Sequence, residues 1–144
     1  KRKRVMVDNP KVIQIQDLSE DDIGWMFSWC RDTFGDSSYT PGPCYYSVVE
    51  GQSEDGRCGE CAWDETPVTC YIWPEEHGDL DLLDLCGTVI HEYTHYLQQP
   101  DEYYTHAAKD QWALDNPLEI EAYAVERDFR ELLYNDFLNY INGN

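Results

Sequence analysis

The sequence has no long hydrophobic run. Its apolar stretches stop well short of the roughly 20 residues that a membrane span needs, so a transmembrane helix is not expected. Basic residues are scarce: Lys and Arg number 10 against 29 Asp and Glu. Five of those ten fall within residues 1–11. Residues 12–144 therefore set five basic against 28 acidic side chains, a net charge of −23. A surface of that sign repels phosphate backbones, which makes nucleic acid an unexpected partner. It attracts cationic partners and favours solubility. No internal repeat is visible, which argues against a solenoid or propeller. The N-terminal "KRKRVMVDNP" is basic but no apolar segment follows it, so a secretory signal is not expected and a cytoplasmic location is. What remains is ample for a core. The 144 residues are 42% hydrophobic and 14% aromatic, as suits one domain.

Hydrophobic periodicity predicts an α+β chain. "KVIQIQ" (11–16) alternates and is β-branched, which predicts a short strand. Ser19 then reads as an N-cap, Gly35 as a helix-ending glycine, and Ile23, Met26, Phe27, Cys30 and Phe34 as the stripe between them. Strands are expected at 44–50 and 68–74, joined by a polar connection that holds Cys58 and Cys61. A helix is expected from about Leu80 to Gln98, then a long connection with at most one helical turn. Asn116-Pro117 opens a last helix whose expected stripe is Leu118, Ala122, Val125, Phe129 and Leu132.

Within the helix at 80–98 lies "VIHEYTHYLQQ", which contains H-E-x-x-H at His91, Glu92 and His95. Residues four apart on a helix share a face, with Cβ atoms about 6 Å apart, so His91 and His95 can hold one tetrahedral zinc. Glu92 is turned aside from the metal, where a base for an activated water is useful. By chance, the pattern would arise in roughly one per cent of chains of this size. Gly87, one turn earlier, leaves room for another element to approach.

A third ligand must come from elsewhere. Asp101 has the spacing of an extended H-E-x-x-H-x-x-G-x-x-H/D pattern, but Gln98 stands at the glycine position. The methionine that metzincins place under the site is also missing, since Met6 and Met26 both lie upstream. "NPLEIEAYAVERD" offers Glu119 and Glu121. Glu119 falls where a capping box would use it. Glu121 has no such task and borders the expected apolar stripe, where a carboxylate needs a partner. Glu121 is therefore the expected third ligand.

"HEYTHYLQQ" followed by "LEIEAYA" resembles the gluzincins, and in particular the ImmA/IrrE-like peptidases and the minimal gluzincins. The likeness spans about Leu80 to Phe129. It implies a single zincin-like metallopeptidase domain over 1–144. That domain would have an N-terminal helix, a small mixed sheet of three to four strands, an active-site helix and a C-terminal glutamate helix. It also implies zinc held by His91, His95 and Glu121, with Glu92 as the general base of peptide-bond hydrolysis. No helix-turn-helix segment accompanies the site, so regulation of a repressor is not indicated.

A peptide or protein substrate is expected to lie extended along a strand edge, with residues 68–73 as the candidate. The competing reading is an acidic binding or structural module whose zinc only ties two helices together. Tyr103 and His106 are candidates to stabilise an oxyanion. Cys30 and Cys86 fall on apolar helix faces and read as core. Cys44, Cys58, Cys61 and Cys70 leave three readings open: a second, structural zinc, two disulfides, or free thiols.

Overall fold

The computed structural model describes residues 13–78, 81–109 and 115–143. Among them run four helices and three strands. In chain order these are α1 (Glu20–Phe34), β1 (Tyr45–Val48), β2 (Gly59–Ala62), β3 (Thr69–Ile72), α2 (Leu82–Leu97), α3 (Pro100–Ala107) and α4 (Pro117–Ile141). No described helix is long and apolar enough to cross a membrane.

The helix boundaries follow local chemistry. Ser19 and Asp22 close a reciprocal capping box on α1, and Gly35 ends that helix at φ 83°. Asp81 and Asp84 do the same for α2, so its first turn begins just past the expected Leu80, which lies outside the described residues. Of the strand expected at 11–16, the described residues form none. Lys11 and Val12 lie outside the described residues, and Ile15–Asp17 forms a 3₁₀ turn. The Asp17 N–H turns back to the Gln14 carbonyl at 3.0 Å, and Asp17 Oδ2 accepts from the Gln14 N–H. Ile13 and Ile15 pack on the core from this turn rather than from a ladder.

The sheet order is β1-β3-β2, with β1 parallel to β3 and β2 antiparallel to it. β3 is thus the central strand, and the expectation that residues 68–73 form an edge is corrected: β1 and β2 are the edges of this sheet. β2 itself was read as connection because Gly and Glu are poor strand formers. Its place is fixed by pairing, with Cys61 opposite Cys70.

α2 packs against β2, β3, α1 and α4. Twelve of its 16 residues are buried, as a helix inside a core requires. Its two large tyrosines keep their hydroxyls satisfied: Tyr93 donates to the Gly35 carbonyl and Tyr96 to that of Gly42, each at 2.6 Å. Along α4 the buried positions are Leu118, Ala122, Leu133 and Phe137. Leu132, expected in that stripe, is exposed, because over 25 residues the stripe steps to Leu133.

Pro100–Ala107 makes two turns where one was expected, and this places α3 beside the N-terminus of α4. Asn116 joins the two. It is fully buried, its Oδ1 accepts from the Leu118 N–H at 2.9 Å, and its Nδ2 donates to the Tyr103 carbonyl at 3.3 Å. Asn116→Ala removes a cap and strands a buried carbonyl. It should lower stability by about 1–3 kcal/mol in chemical denaturation. A change within error would show that this junction bears no strain.

Candidate metal centre

α2 presents His91 and His95 toward the first two turns of α4. The carboxylate that meets them is Glu119. His91 Nε2 and His95 Nε2 each lie 2.9 Å from Glu119 Oε1, and 3.2 Å from each other. These three atoms form the only group among the described residues able to hold a metal ion. A tetrahedral zinc with bonds of 2.0–2.1 Å separates its ligand atoms by about 3.3 Å, so the triangle is close to the size the ion needs.

Glu121, the expected third ligand, is not in this group; the structure sets Glu119 beside the two histidines instead. The cap at Asn116 bonds Leu118 and makes no capping box, which leaves Glu119 free to turn inward. Glu119, Tyr123 and Glu126 are spaced i, i+4, i+7 and share one face, and all three line the site. Glu121 falls outside that stripe and is exposed. Asp101 is exposed on the first turn of α3 and is not part of the group.

Glu121 nonetheless reaches the site through a relay. Gln98 Nε2 donates to the Leu118 carbonyl at 2.9 Å and to Glu121 Oε1 at 2.7 Å. Two acceptors fix the amide, so its oxygen faces His95 Nδ1 at 2.7 Å. His95 must then donate at Nδ1 and keep a lone pair on Nε2. Glu126 Oε1, 2.9 Å from His91 Nδ1, accepts the Nδ1 proton of the other ring in the same way, which leaves Nε2 as the nitrogen that carries either a proton or a metal. Gly87 permits this, since a Cβ there would stand 2.6 Å from Glu126 Oε2.

Two lone pairs and a carboxylate oxygen converging at about 3 Å repel unless a positive charge joins them. Burial would push the His91 pKa down, but the hydrogen bonds to Glu119 and Glu126 outweigh it and raise it to about 10. Burial would push the Glu119 carboxyl up, but its bonds to both histidines hold it well below the usual carboxylate range. A pocket that so favours a proton at this point favours a cation there. The donor set, two imidazoles and a carboxylate, suits zinc.

The group sits in a cleft of ≈ 660 Å³, bounded by β2, α2 and the first turns of α3 and α4. Glu92 is buried on its floor, and burial pushes its pKa up. Its carboxylate accepts no hydrogen bond from a described residue. Gly59 lets β2 run directly over it: a Cβ at Gly59 would meet Glu92 Cγ at 2.8 Å and Thr88 Cγ2 at 3.0 Å. Trp63, just past β2, donates from Nε1 to the His95 carbonyl at 2.9 Å. Tyr103 donates to Glu119 Oε2 at 2.8 Å, and the ring of Tyr123 lies 4.5 Å from that of His91. Of the two aromatic candidates, Tyr103 reaches the cleft and His106 does not line it.

Of the residues expected at the site, the structure brings His91, Glu92 and His95 into the cleft; Glu119, Gln98, Glu126 and Gly59 join them without having been singled out for these places. The i, i+7 spacing of Glu119 and Glu126 was the available signal. His77 is buried away from this group, with its Nε2 2.9 Å from Thr88 Oγ1.

Cys44, Cys58, Cys61 and Cys70 do not assemble a metal site among the described residues. Cys44 and Cys70 approach to 3.4 Å between sulfurs, Cys70 lies 3.5 Å from the Glu92 carbonyl, and all are free thiols. Cys30 and Cys86 are core, as expected, and burial pushes the Cys86 thiol up to about 12. No known family, curated protein or solved structure matches the chain.

Proposed function

We propose that the protein is a zinc-dependent peptidase of gluzincin type, with a zincin-like fold. The observation that carries this reading is the convergence of His91, His95 and Glu119 beside a buried Glu92, whose carboxylate takes no hydrogen bond from a described residue, on the floor of a cleft that an edge strand borders. Three protein donors, rather than the four of a closed site, suit catalysis better than the purely structural role of the competing reading. Zinc bound by these three residues supplies a Lewis acid that polarises a carbonyl and acidifies water.

The chain's own residues account for the rest. An extended peptide adds to the free edge of β2 through main-chain hydrogen bonds. Glu92, whose carboxylate no described residue holds by a hydrogen bond, takes the proton of the attacking water and delivers it to the leaving amine nitrogen. Its raised pKa brings it closer to a group that can both accept and return a proton. Glu126 and Gln98 hold the two imidazoles in register while this happens.

The test is incubation with a mixed peptide pool, read by mass spectrometry. Cleavage should appear, stop with phenanthroline and return with added zinc. Cleavage that survives metal removal would overturn the reading. A further expectation concerns Gly59→Ala. The new methyl displaces Glu92 without touching the ligands, so kcat/KM should fall by up to about 100-fold at unchanged zinc content. Loss of zinc alongside activity would show that Gly59 supports the ligands instead.

A further inference from the structure

The cleft carries its charge unevenly. Five carboxylates line it, those of Asp55, Glu60, Glu92, Glu119 and Glu126, against one guanidinium, that of Arg57. That guanidinium is already engaged. Its Nε donates to Asp55 Oδ2 at 2.7 Å and its Nη1 to Glu60 Oε1 at 3.0 Å, while Nη2 also pairs with Asp55. A substrate carboxylate arriving here would have to displace both partners of Arg57 and would face the remaining acids. A substrate ammonium or guanidinium would meet carboxylates directly.

We propose that the substrates are peptides with Lys or Arg close to the scissile bond, recognised by Asp55 and Glu60 at the rim of the cleft. The inference rests on the peptidase reading and adds the substrate class to it. Position supports it as well as charge. A Cβ at Gly59 would meet Glu92, and Arg57 precedes Gly59 by two residues, so a peptide on the β2 edge passes Arg57 at the end of the strand nearest Glu92. Glu60 is on β2 itself. Asp55, Arg57 and Glu60 are about half exposed, with side-chain exposures of 52%, 46% and 39%, so an incoming cation can share the two acids. The other end of β2 differs: Trp63, Tyr103 and Tyr104 pack there with ring centroids 5.1–6.0 Å apart. The charge preference is therefore confined to one end of the cleft.

The whole chain is acidic, so the test must separate the cleft from the general surface. Zinc-loaded Glu92→Gln protein is titrated at physiological salt with three labelled peptides that differ only in carrying Lys, Gln or Glu at two adjacent positions. The Lys peptide should bind about tenfold tighter than the Gln peptide, and the Glu peptide weakest. Adding Asp55→Asn with Glu60→Gln should abolish the Lys preference and, by freeing Arg57, improve binding of the Glu peptide. Arg57→Gln should instead strengthen the Lys preference. Adding Glu20→Gln with Asp21→Asn on α1, outside the cleft lining, should leave the preference intact.

Equal binding of the three peptides would overturn the proposal, as would an equal loss from the α1 pair. The two readings fail separately. Absence of cleavage by the wild type, with the binding pattern present, would remove the peptidase reading alone. Cleavage without charge preference would remove this inference alone.

Discussion

Glu92→Gln should lower hydrolysis by about 10²–10⁴-fold while leaving one zinc per chain. Gln keeps the size and shape of the side chain but cannot accept the proton. The position is buried and its carboxylate receives no hydrogen bond from a described residue, so the ionised acid costs free energy in the fold. The variant should therefore unfold at a midpoint no lower than the wild type, and it should give the same peptide affinity. Activity, metal content and thermal midpoint, measured on one preparation, separate a lost base from a lost structure. Hydrolysis at the wild-type rate would remove Glu92 from the mechanism. A fall in zinc content would make it a ligand or a support for one.

The second large effect distinguishes two glutamates two residues apart. Glu119→Gln should weaken zinc binding by more than the roughly 10–100-fold typical of residues that only orient a ligand, because Glu119 Oε1 meets both imidazoles. Glu121→Gln should fall within or below that range. It removes one of two acceptors that fix the Gln98 amide, and the Leu118 carbonyl still holds the other. Competition with a calibrated zinc chelator gives both affinities. The reverse order would mean that α4 turns by about 160° relative to α2 when the metal binds, since two residues of helix separate Glu121 from Glu119 by about 200°.

The contrast between these two residues shows how far the sequence could be read. His91, Glu92 and His95 are legible because all three lie on one helix, where spacing alone fixes which face each occupies. α1, α2 and the start of α4 are legible for the same kind of reason, through Ser19, Gly35 and Asn116-Pro117. The choice between Glu119 and Glu121 depends on how α4 is rotated against α2. That rotation is set by tertiary contacts, notably the fit of Glu126 over Gly87 and the link from Asn116 to Tyr103. The 3₁₀ turn at Ile15–Asp17 has an alternating sequence, but among the described residues no strand pairs with it. β2 has the opposite history: its residues are poor strand formers, and its pairing with β3 makes it the edge of the cleft. Gln98 looked like a departure from a glycine pattern, and its role appears only once Leu118 and Glu121 are brought beside it.

The account stands on a single point in space, where His91 Nε2, His95 Nε2 and Glu119 Oε1 meet. Diffraction from crystals grown with zinc, recorded on both sides of the zinc absorption edge, examines that point directly. The account predicts one anomalous peak per chain at about 2.0–2.1 Å from all three atoms, with the remaining position taken by water. A peak bound by four protein side chains would contradict the catalytic reading. A peak away from these residues, or none at saturating zinc, would contradict the site itself.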